Sequence, residues 1–207
     1  VDSGHFDWTK SGRFPSLSEP EPAYHGLRFQ ETFGPMAFTF FGIAIGLRDL
    51  GMTMSPQSAF YTLLGMETLS LRMRRHVENA EAVATRLEAD PRVESVSYAG
   101  LPSSPWYARA KRLYPRGAGA LFTFALKGGY AACVKLVDSV ELLSHVANLG
   151  DSRSLIIHPA STTHRQLSDA QRAVAGAGNN VVRLSIGIED PADIIRDLDQ
   201  AMTKATA

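Results

Sequence analysis

Residues 145–190 read HVANLGDSRSLIIHPASTTHRQLSDAQRAVAGAGNNVVRLSIGIED, and this stretch decides the predicted fold. Two of its runs are rich in apolar and β-branched residues, which predicts strands at Ser154–Ala160 and Val181–Gly187. The polar residues of Ser161–Arg165 lie between these runs and predict a turn. The stretch therefore predicts a strand, a turn, a short helix and a second strand in succession.

The short helix of this stretch has a start signal and a stop signal. Ser168 can cap its first turn, and Gln171, three residues later, completes a capping box. Gly176 and Gly178 follow the helix, and glycine is the residue that most often ends one. We therefore expect a helix of only a few turns between the two strands.

The second strand carries an arginine in the middle of an apolar run. Alternation along VVRLSIG places every second side chain on the same face of the sheet. The apolar face consists of Val182, Leu184 and Ile186. The opposite face consists of Val181, Arg183, Ser185 and Gly187.

Arg183 at this position allows two interpretations. Its planar guanidinium can bind the carboxylate of a ligand through two parallel hydrogen bonds. Alternatively, it forms a structural ion pair with an aspartate or glutamate of this chain. Spacing alone favours the structural ion pair, because most partly buried arginines are structural.

Other combinations of polar residues in this stretch are weaker signals. A zinc site from His158 and His164 needs further ligands, and Asp151 is the only carboxylate nearby. A nucleophilic triad can be drawn from Ser161, His158 and Asp169, but no strained nucleophile turn accompanies the serine. We therefore expect neither a metal site nor a serine nucleophile.

Composition excludes several classes of partner. Lys+Arg and Asp+Glu both number 21, so the net charge is zero and no basic stripe indicates nucleic acid. No apolar run approaches the roughly 18 residues of a membrane span, and the opening residues VDSGHFDW lack the features of a signal peptide. The single cysteine, Cys133, excludes an internal disulfide and reads as part of the core. These observations predict a cytoplasmic location.

The first 90 residues predict loops followed by two helical segments. Prolines and glycines punctuate residues 1–35, so little regular structure is expected there, and Val1 reads as the end of a strand. Met36–Leu50 predicts an apolar helix. A long helix is then predicted to begin with Ser55 as its cap and to end at Pro91, with a kink near Gly65. Its apolar residues recur every three or four positions, and we expect them to be core; they are Phe60, Leu63, Met66, Leu69, Met73, Val77, Ala80, Val83 and Leu87.

The remaining residues alternate between strand and helix patterns. Together with the two strands and the helix of residues 145–190, they predict the order βαβαββαβα. This order indicates an α+β domain with a mostly antiparallel sheet and helices on one side. The additional segments are Val93–Tyr98, Trp106–Tyr114, Ala120–Leu126, residues 130–143 and Pro191–Ala205.

Several long motifs carry a resemblance to a known family. The runs NLGD, SLIIHPASTTH and VVRLSIGIED occur in order, after VDSGHFDW, GLRDLGMTMSPQSAFYTLLGMETLSLRMRRHVENA and GAGALFTFALKGG. Together they resemble the C-terminal part of the Cys/Met-metabolism PLP-dependent enzymes, the cystathionine γ-synthase-like family. The O-acetylhomoserine sulfhydrylase branch is the most similar, and the resemblance covers nearly all 207 residues.

The resemblance implies an organisation for the chain. It indicates the C-terminal domain of a fold-type I PLP-dependent transferase, whose parent enzyme is α/β overall. Residues 1–54 are then a remnant of the large cofactor domain with an active-site loop, residues 55–90 a connecting helix, and residues 91–207 a small substrate-binding domain. On this interpretation the chain is a fragment of a homotetrameric enzyme.

The resemblance also implies roles for three residues. Arg183 matches the arginine that binds the α-carboxylate of the amino-acid substrate, which reverses the interpretation favoured by spacing. Thr163 matches a threonine near that carboxylate and the cofactor. Asn148 is the third residue that the resemblance places at the substrate, and it lies in NLGD, where the lyases and synthases of the family often read SLGG. The departure favours the sulfhydrylase branch.

The implied reaction is a γ-replacement in methionine biosynthesis, in which sulfide displaces acetate from O-acetylhomoserine and homocysteine forms on PLP. The resemblance places the lysine that binds PLP as a Schiff base upstream of Val1. No catalytic residue is therefore expected here, and the chain alone should be inactive and bind no cofactor of its own. Cystathionine γ-synthase and methionine γ-lyase remain alternatives, as does a freestanding amino-acid-binding or oligomerisation module. None of the five lysines has the family's setting; they are Lys10, Lys111, Lys127, Lys135 and Lys204.

Overall fold

Residues 2–207 are described by a computed structural model, in which the chain divides into two units. One unit extends as far as Leu64 and the other runs from Gly65 to Ala207. The strand end expected at Val1 lies outside the described residues. None of the helices in residues 2–207 combines the length and the apolar character needed to cross a membrane.

The first unit is built from short helical segments around a small core of Leu17, Phe29 and Ala37. The prediction of little regular structure in residues 1–35 is therefore only partly right. The predicted helix at Met36–Leu50 is helical, but its second half is a π-helix. Glycine weakens an α-helix, and this half contains two glycines. The segments are α1 (Pro15–Ser18), α2 (Phe29–Phe33), α3 (Ala37–Phe41), 3₁₀ turns at Pro22–Tyr24 and Gly34–Met36, and the π-helix Gly42–Asp49.

The long helix expected from Ser55 to Pro91 is two helices. Helix α4 covers Pro56–Glu67 and α5 covers Leu69–Glu88. The break lies at Thr68, whose ψ is 3°, and not at Gly65. The expected cap is present, because the Ser55 hydroxyl accepts a hydrogen bond from the Ser58 N–H at 3.1 Å.

The apolar stripe of these helices is buried only in its second half. Ala80, Val83 and Leu87 are buried as expected. The expectation that the first half is core is wrong, because no part of the described chain covers it: Met66 is 57 % exposed. The other exposed members are Phe60, Leu63, Leu69 and Met73.

The second unit contains a five-stranded sheet in the order β1-β2-β5-β4-β3. All pairs are antiparallel except β3 with β4, so the predicted mostly antiparallel α+β sheet is confirmed. The order of elements is also the predicted βαβαββαβα. They are β1 (Val93–Ser97), α6 (Tyr107–Leu113), β2 (Leu121–Leu126), α7 (Gly129–Ser139), β3 (Ser144–His145), β4 (Leu155–Ile157), α8 (Asp169–Val174), β5 (Val181–Ser185) and α9 (Pro191–Thr206).

The core of this unit lies between the sheet and helices α5, α7 and α9. Val182, Leu184 and Ile186 are completely buried in it, which confirms the predicted apolar face. Cys133 on α7 is also completely buried, and this burial raises the pKa of its thiol to about 11. The interpretation of Cys133 as a core residue is therefore confirmed.

Strand β4 and helix α7 end three or more residues earlier than predicted, for different reasons. Strand β4 ends at Ile157 because a 3₁₀ turn begins at Pro159. Helix α7 ends at Ser139 and not at residue 143, because the Asp197 carboxylate accepts hydrogen bonds from the N–H groups of three residues that follow. The donors are Glu141, Leu142 and Leu143, at 2.8, 2.9 and 3.0 Å.

The capping box predicted for α8 is present. The Ser168 hydroxyl accepts from the Gln171 N–H at 3.3 Å, and the Gln171 side chain accepts from the Ser168 N–H at 2.9 Å. After the last turn, Gly176 adopts a φ of 68°, a left-handed conformation that glycine accommodates without strain. The local signals of residues 168–178 therefore determine this helix.

Candidate functional site

Arg183 lies at the centre of β5, between two neighbouring strands. It pairs in register with Thr123 of β2 and Ile157 of β4. The residues on either side, Val182 and Leu184, are completely buried, whereas Arg183 itself is only half-buried. Alternation along the strand therefore directs its side chain away from the core and toward the other face of the sheet.

The guanidinium of Arg183 has no acidic partner in residues 2–207. The structure records one hydrogen bond from it, in which Nη2 donates to the backbone carbonyl of Asn148 at 3.3 Å. The structural ion pair that spacing alone favoured is therefore not found among the described residues. An arginine carries five N–H donors, so most of this guanidinium remains available to bind an anion.

Asn148 contacts Arg183 through its backbone carbonyl, whereas its side chain forms a hydrogen bond within its own loop. It lies in the exposed loop between β3 and β4, where its Oδ1 accepts a hydrogen bond from the Leu149 N–H at 2.9 Å. The carbonyl of the same residue accepts from Arg183. The structure thus joins two of the three predicted site residues through a main-chain atom.

Thr163 stands apart from this contact. It lies in the turn that follows the 3₁₀ helix Pro159–Ser161, and it is exposed. Its hydroxyl is 2.9 Å from Nδ1 of His164, and the described residues show no hydrogen bond from it to Arg183 or Asn148. Its role near the ligand stays a prediction.

His158 has a structural role in this part of the sheet. The ring is buried, with Nδ1 3.0 Å from the Ser161 hydroxyl and Nε2 3.0 Å from the Asn179 carbonyl. Burial lowers its pKa, so the neutral ring is favoured and Nε2 donates to the carbonyl. Both nitrogens are engaged, and the Asp169 carboxylate binds Arg172, so the triad does not form.

No group of three metal-binding side chains is found in residues 2–207. The histidines and Asp151 considered from the sequence therefore do not form a zinc site among these residues. The Asp151 carboxylate accepts a hydrogen bond from the Arg153 N–H at 3.0 Å, a contact local to its own loop.

A polar cluster beside the site was not found from the sequence. Both Glu189 oxygens bind Ser154, Oε1 accepting from its N–H at 2.6 Å and Oε2 from its hydroxyl at 2.9 Å. The Ser154 hydroxyl also accepts from the Gly187 N–H at 2.9 Å. Asn79 of α5 donates to the carbonyls of Gly187 and Glu189, at 3.0 and 2.8 Å. The available signal was a glutamate two residues after the predicted strand Val181–Gly187, which alone indicates no partner.

The lysines of the chain do not fit a covalently held cofactor. All five are exposed. Lys10 pairs with Asp7 at 3.8 Å, Lys204 with Glu141 at 3.2 Å, and Lys127 donates to the Pro91 carbonyl at 2.6 Å. The described residues thus fit the carboxylate of a ligand, through Arg183, and they do not fit the covalent attachment of PLP.

Comparison with known proteins agrees with the resemblance. The model of the Cys/Met metabolism PLP-dependent enzymes matches residues 14–203. O-acetyl-L-homoserine sulfhydrylase 1 of Thermus thermophilus is 48 % identical over 202 residues, which are 98 % of this chain and 48 % of that protein. Homocysteine synthase of Schizosaccharomyces pombe is 47 % identical over 206 residues, 99 % of this chain and 48 % of that protein.

A solved structure also matches. A putative O-acetylhomoserine (thiol)-lyase of Campylobacter jejuni superposes with a TM-score of 0.83 and 40 % identity, covering 95 % of this chain and 46 % of that one. That protein carries N'-pyridoxyl-lysine-5'-monophosphate at its position 205. The chain described here spans about half the length of the curated relatives it matches.

Proposed function

The chain belongs to the Cys/Met metabolism PLP-dependent enzyme family, and from this membership we propose that it forms the substrate-binding part of an O-acetylhomoserine sulfhydrylase. In that reaction sulfide replaces the acetate group on Cγ of O-acetylhomoserine, and homocysteine and acetate are released. PLP, when bound, supplies the electron sink for this chemistry. The residues of this chain bind and orient the amino acid.

The observation that carries the proposal is the guanidinium of Arg183, which has no acidic partner in residues 2–207. It is half-buried on a strand whose neighbours are fixed by the sheet, and no carboxylate of residues 2–207 neutralises it. A planar fork of donors in this setting suits an amino-acid α-carboxylate, which can accept two parallel hydrogen bonds. Thr163 is the second proposed contact, and Asn148 orients the arginine through its carbonyl.

Catalysis requires a segment beyond the described residues. The five exposed lysines leave this chain without a residue suited to hold the cofactor, so we propose that residues 2–207 alone are inactive. The attachment lysine belongs to a further segment, and the Campylobacter jejuni protein, which is about twice as long, carries its pyridoxyl-lysine at position 205.

The organisation of the complete enzyme is part of the same proposal. Residues 1–54 belong to the large cofactor domain, residues 55–90 connect it to the rest, and residues 91–207 form the substrate-binding domain. The enzyme is a cytoplasmic homotetramer. The exposed apolar side chains of α4, such as Phe60 and Leu63, support an additional contact surface in the complete protein.

The reaction type can be tested in a chimera. We would join the preceding half of the Thermus thermophilus sulfhydrylase to this chain, load the product with PLP and supply O-acetylhomoserine. Homocysteine formation from sulfide is the expected result. Cysteine as the acceptor would instead give cystathionine if the chain came from a γ-synthase, and release of 2-oxobutyrate without an acceptor would indicate a γ-lyase.

Two controls make this experiment decisive. The intact Thermus thermophilus enzyme, assayed in parallel, shows that cofactor loading and the assay work. The same chimera with Arg183→Ala should turn over the amino acid poorly at low concentration. A folded, PLP-loaded chimera that makes no homocysteine while the intact enzyme does would contradict the proposed reaction.

A further inference from the structure

Glu189 is half-buried, and both oxygens of its carboxylate accept hydrogen bonds from the same residue, Ser154. Oε1 accepts from the Ser154 N–H at 2.6 Å and Oε2 from the Ser154 hydroxyl at 2.9 Å. No ion pair of Glu189 is found in the described part of the chain. An ionised acceptor strengthens both bonds relative to neutral pairs, so this contact fixes the position of Ser154.

Ser154 links the loop before it to the end of β5. Its hydroxyl donates to Glu189 and accepts from the Gly187 N–H at 2.9 Å. One residue pair further out, the Ile188 N–H donates to the Ser152 carbonyl at 2.9 Å. Residues 152–154 are therefore tied to residues 187–189 by four hydrogen bonds, counting both bonds to Glu189.

Helix α5 holds the other side of the same segment. Asn79 donates to the carbonyls of Gly187 and Glu189, and Nδ1 of His76 lies 2.6 Å from the Ile186 carbonyl. Both side chains are 1 % exposed. Because side chains of the helix and residues of the loop both form hydrogen bonds with residues 186–189, the segment after β5 supports the loop.

The loop that this support anchors carries the carbonyl that contacts Arg183. Asn148 lies six residues before Ser154, on a loop whose residues 145–150 are all exposed. The end of this loop is tied to the strand that bears the arginine by the anchor at Ser154, by the bond between Ile188 and the Ser152 carbonyl, and by the pairing of β4 with β5 that follows. Among these contacts, the anchor is the one made by the Ser154 side chain, and it lies on the same loop as the carbonyl that accepts from Arg183.

We propose that Glu189 is a positioning residue that, through Ser154, fixes the 146–153 loop so that the Asn148 carbonyl orients Arg183 toward a substrate carboxylate. The orienting step stands on the geometry of this chain alone, whereas its effect on substrate rests on the proposed function of Arg183. A guanidinium held in one plane loses less side-chain freedom on binding, and this preorganisation increases affinity.

The orienting step is tested by NMR on the 207-residue chain. Relaxation of the Arg183 Nε–Hε group reports how ordered that side chain is, and Arg112, exposed and without an ion pair in residues 2–207, serves as the mobile reference. Glu189→Ala should release Arg183 toward the mobility of Arg112, while Glu189→Gln, which retains an acceptor for the Ser154 N–H, should keep most of the order. Equal mobility of Arg183 in the parent and in Glu189→Ala would overturn the proposal.

Further variants distinguish an effect of the substitution on folding from an effect on substrate binding. If Glu189→Ala does not fold, Ser154→Ala removes the hydroxyl bonds and leaves the backbone N–H bond, and a smaller release of Arg183 is expected. In the PLP-loaded chimera, Glu189→Ala should raise KM for O-acetylhomoserine about five- to tenfold with little change in kcat or in KM for sulfide.

A double variant distinguishes failure of this inference from failure of the proposed function. In an Arg183→Ala background, Glu189→Ala should have no further effect on KM for the amino acid, because it acts through Arg183. An equal increase in both backgrounds would overturn the positioning role and leave the carboxylate role of Arg183 intact. An Arg183→Ala variant with unchanged KM would instead contradict the proposed function.

Discussion

Nη2 of Arg183 and the backbone carbonyl of Asn148 lie 3.3 Å apart and connect a strand to a loop 35 residues earlier in the chain. The arginine has no acidic partner in residues 2–207, and its hydrogen bond to the carbonyl restricts the orientation of the guanidinium. Because the hydrogen-bond partner recorded for it in those residues is a neutral carbonyl, the charge of this arginine is left to attract an anionic ligand.

We expect Arg183→Ala to weaken binding of an amino-acid carboxylate without changing the fold. Losing a charge-assisted hydrogen bond costs about 1.5–3 kcal/mol, which is roughly 10- to 150-fold in affinity. Arg183→Lys should recover only part of this, because an ammonium cannot supply the planar fork. KM for O-acetylhomoserine in the chimera, compared with Arg112→Ala as the control, measures the effect. Equal KM values for Arg183→Ala and Arg112→Ala would exclude the carboxylate role.

Substitution of Asn148 should have little effect, although the residue contacts the site. The carbonyl that accepts from Arg183 belongs to the backbone, and the side chain reaches only the neighbouring Leu149 N–H. Asn148→Ala should therefore change KM for the amino acid less than about threefold, because the orienting bond is retained. A loss as large as that of Arg183→Ala would show that the amide side chain itself binds the ligand.

Gly187→Ala should destabilise the second unit. A methyl group at this position would overlap the Glu189 carboxylate and lie 2.5 Å from the Ser152 carbonyl oxygen, so backbone as well as side chain must shift. Overpacking of this kind costs about 1–3 kcal/mol, which for a chain of this length lowers Tm by roughly 2–12 °C.

Gly178→Ala is the matched control for that variant. A methyl group there would meet its nearest neighbours at 3.5 and 3.7 Å, which is ordinary van der Waals contact. Thermal unfolding followed by circular dichroism compares the two variants. The same Tm for both would mean that the segment around Gly187 is more adaptable than the structure indicates.

The contribution of Asp197 to stability should depend on pH. Burial opposes ionisation of this carboxyl, but the three N–H donors after α7 and the amide of Gln200 together bring its pKa below the usual value. A carboxyl whose pKa is lower in the folded than in the unfolded chain stabilises the fold fully above the unfolded value of about 3.9. That stabilisation is lost as the pH falls through the folded value.

Urea unfolding of Asp197→Asn at pH 7 and pH 3 measures this dependence. At pH 7 the variant should be less stable than the parent by about 1–3 kcal/mol, because a charged acceptor of several hydrogen bonds becomes neutral. The difference should narrow at pH 3, whereas Asp138→Asn, on the exposed side of α7, should change stability little at either pH. A difference that is the same at both pH values would contradict the role of the charge.

The parts of the fold that could be predicted from the sequence are those that short-range signals determine. The capping box of Ser168 and Gln171 and the alternation of β5 depend on residues a few positions apart, and both are present as predicted. The break at Thr68 was misplaced because propensity points to the glycine at 65, which the helix accommodates.

The candidate site was only partly predictable for the same reason. Arg183 stands out as a charge in an apolar strand, but its contact with Asn148 and the bond between Ser154 and Glu189 each join residues 35 apart. The carbonyl of Asn148 has no sequence signal at all, because every residue has one. Long-range pairing decides which carbonyl faces the arginine, and residue type carries no information about it.

The reactivity of the Cys133 thiol can report how often the core of the second unit opens to solvent. Cys133 is the only cysteine of the chain, it is completely enclosed between α7 and the sheet, and its thiol has a pKa of about 11. A thiol-specific reagent can therefore react at an appreciable rate only in molecules whose core has opened. The rate of labelling, measured over increasing denaturant, reads out the opening equilibrium of the sheet and its helices without any engineered probe.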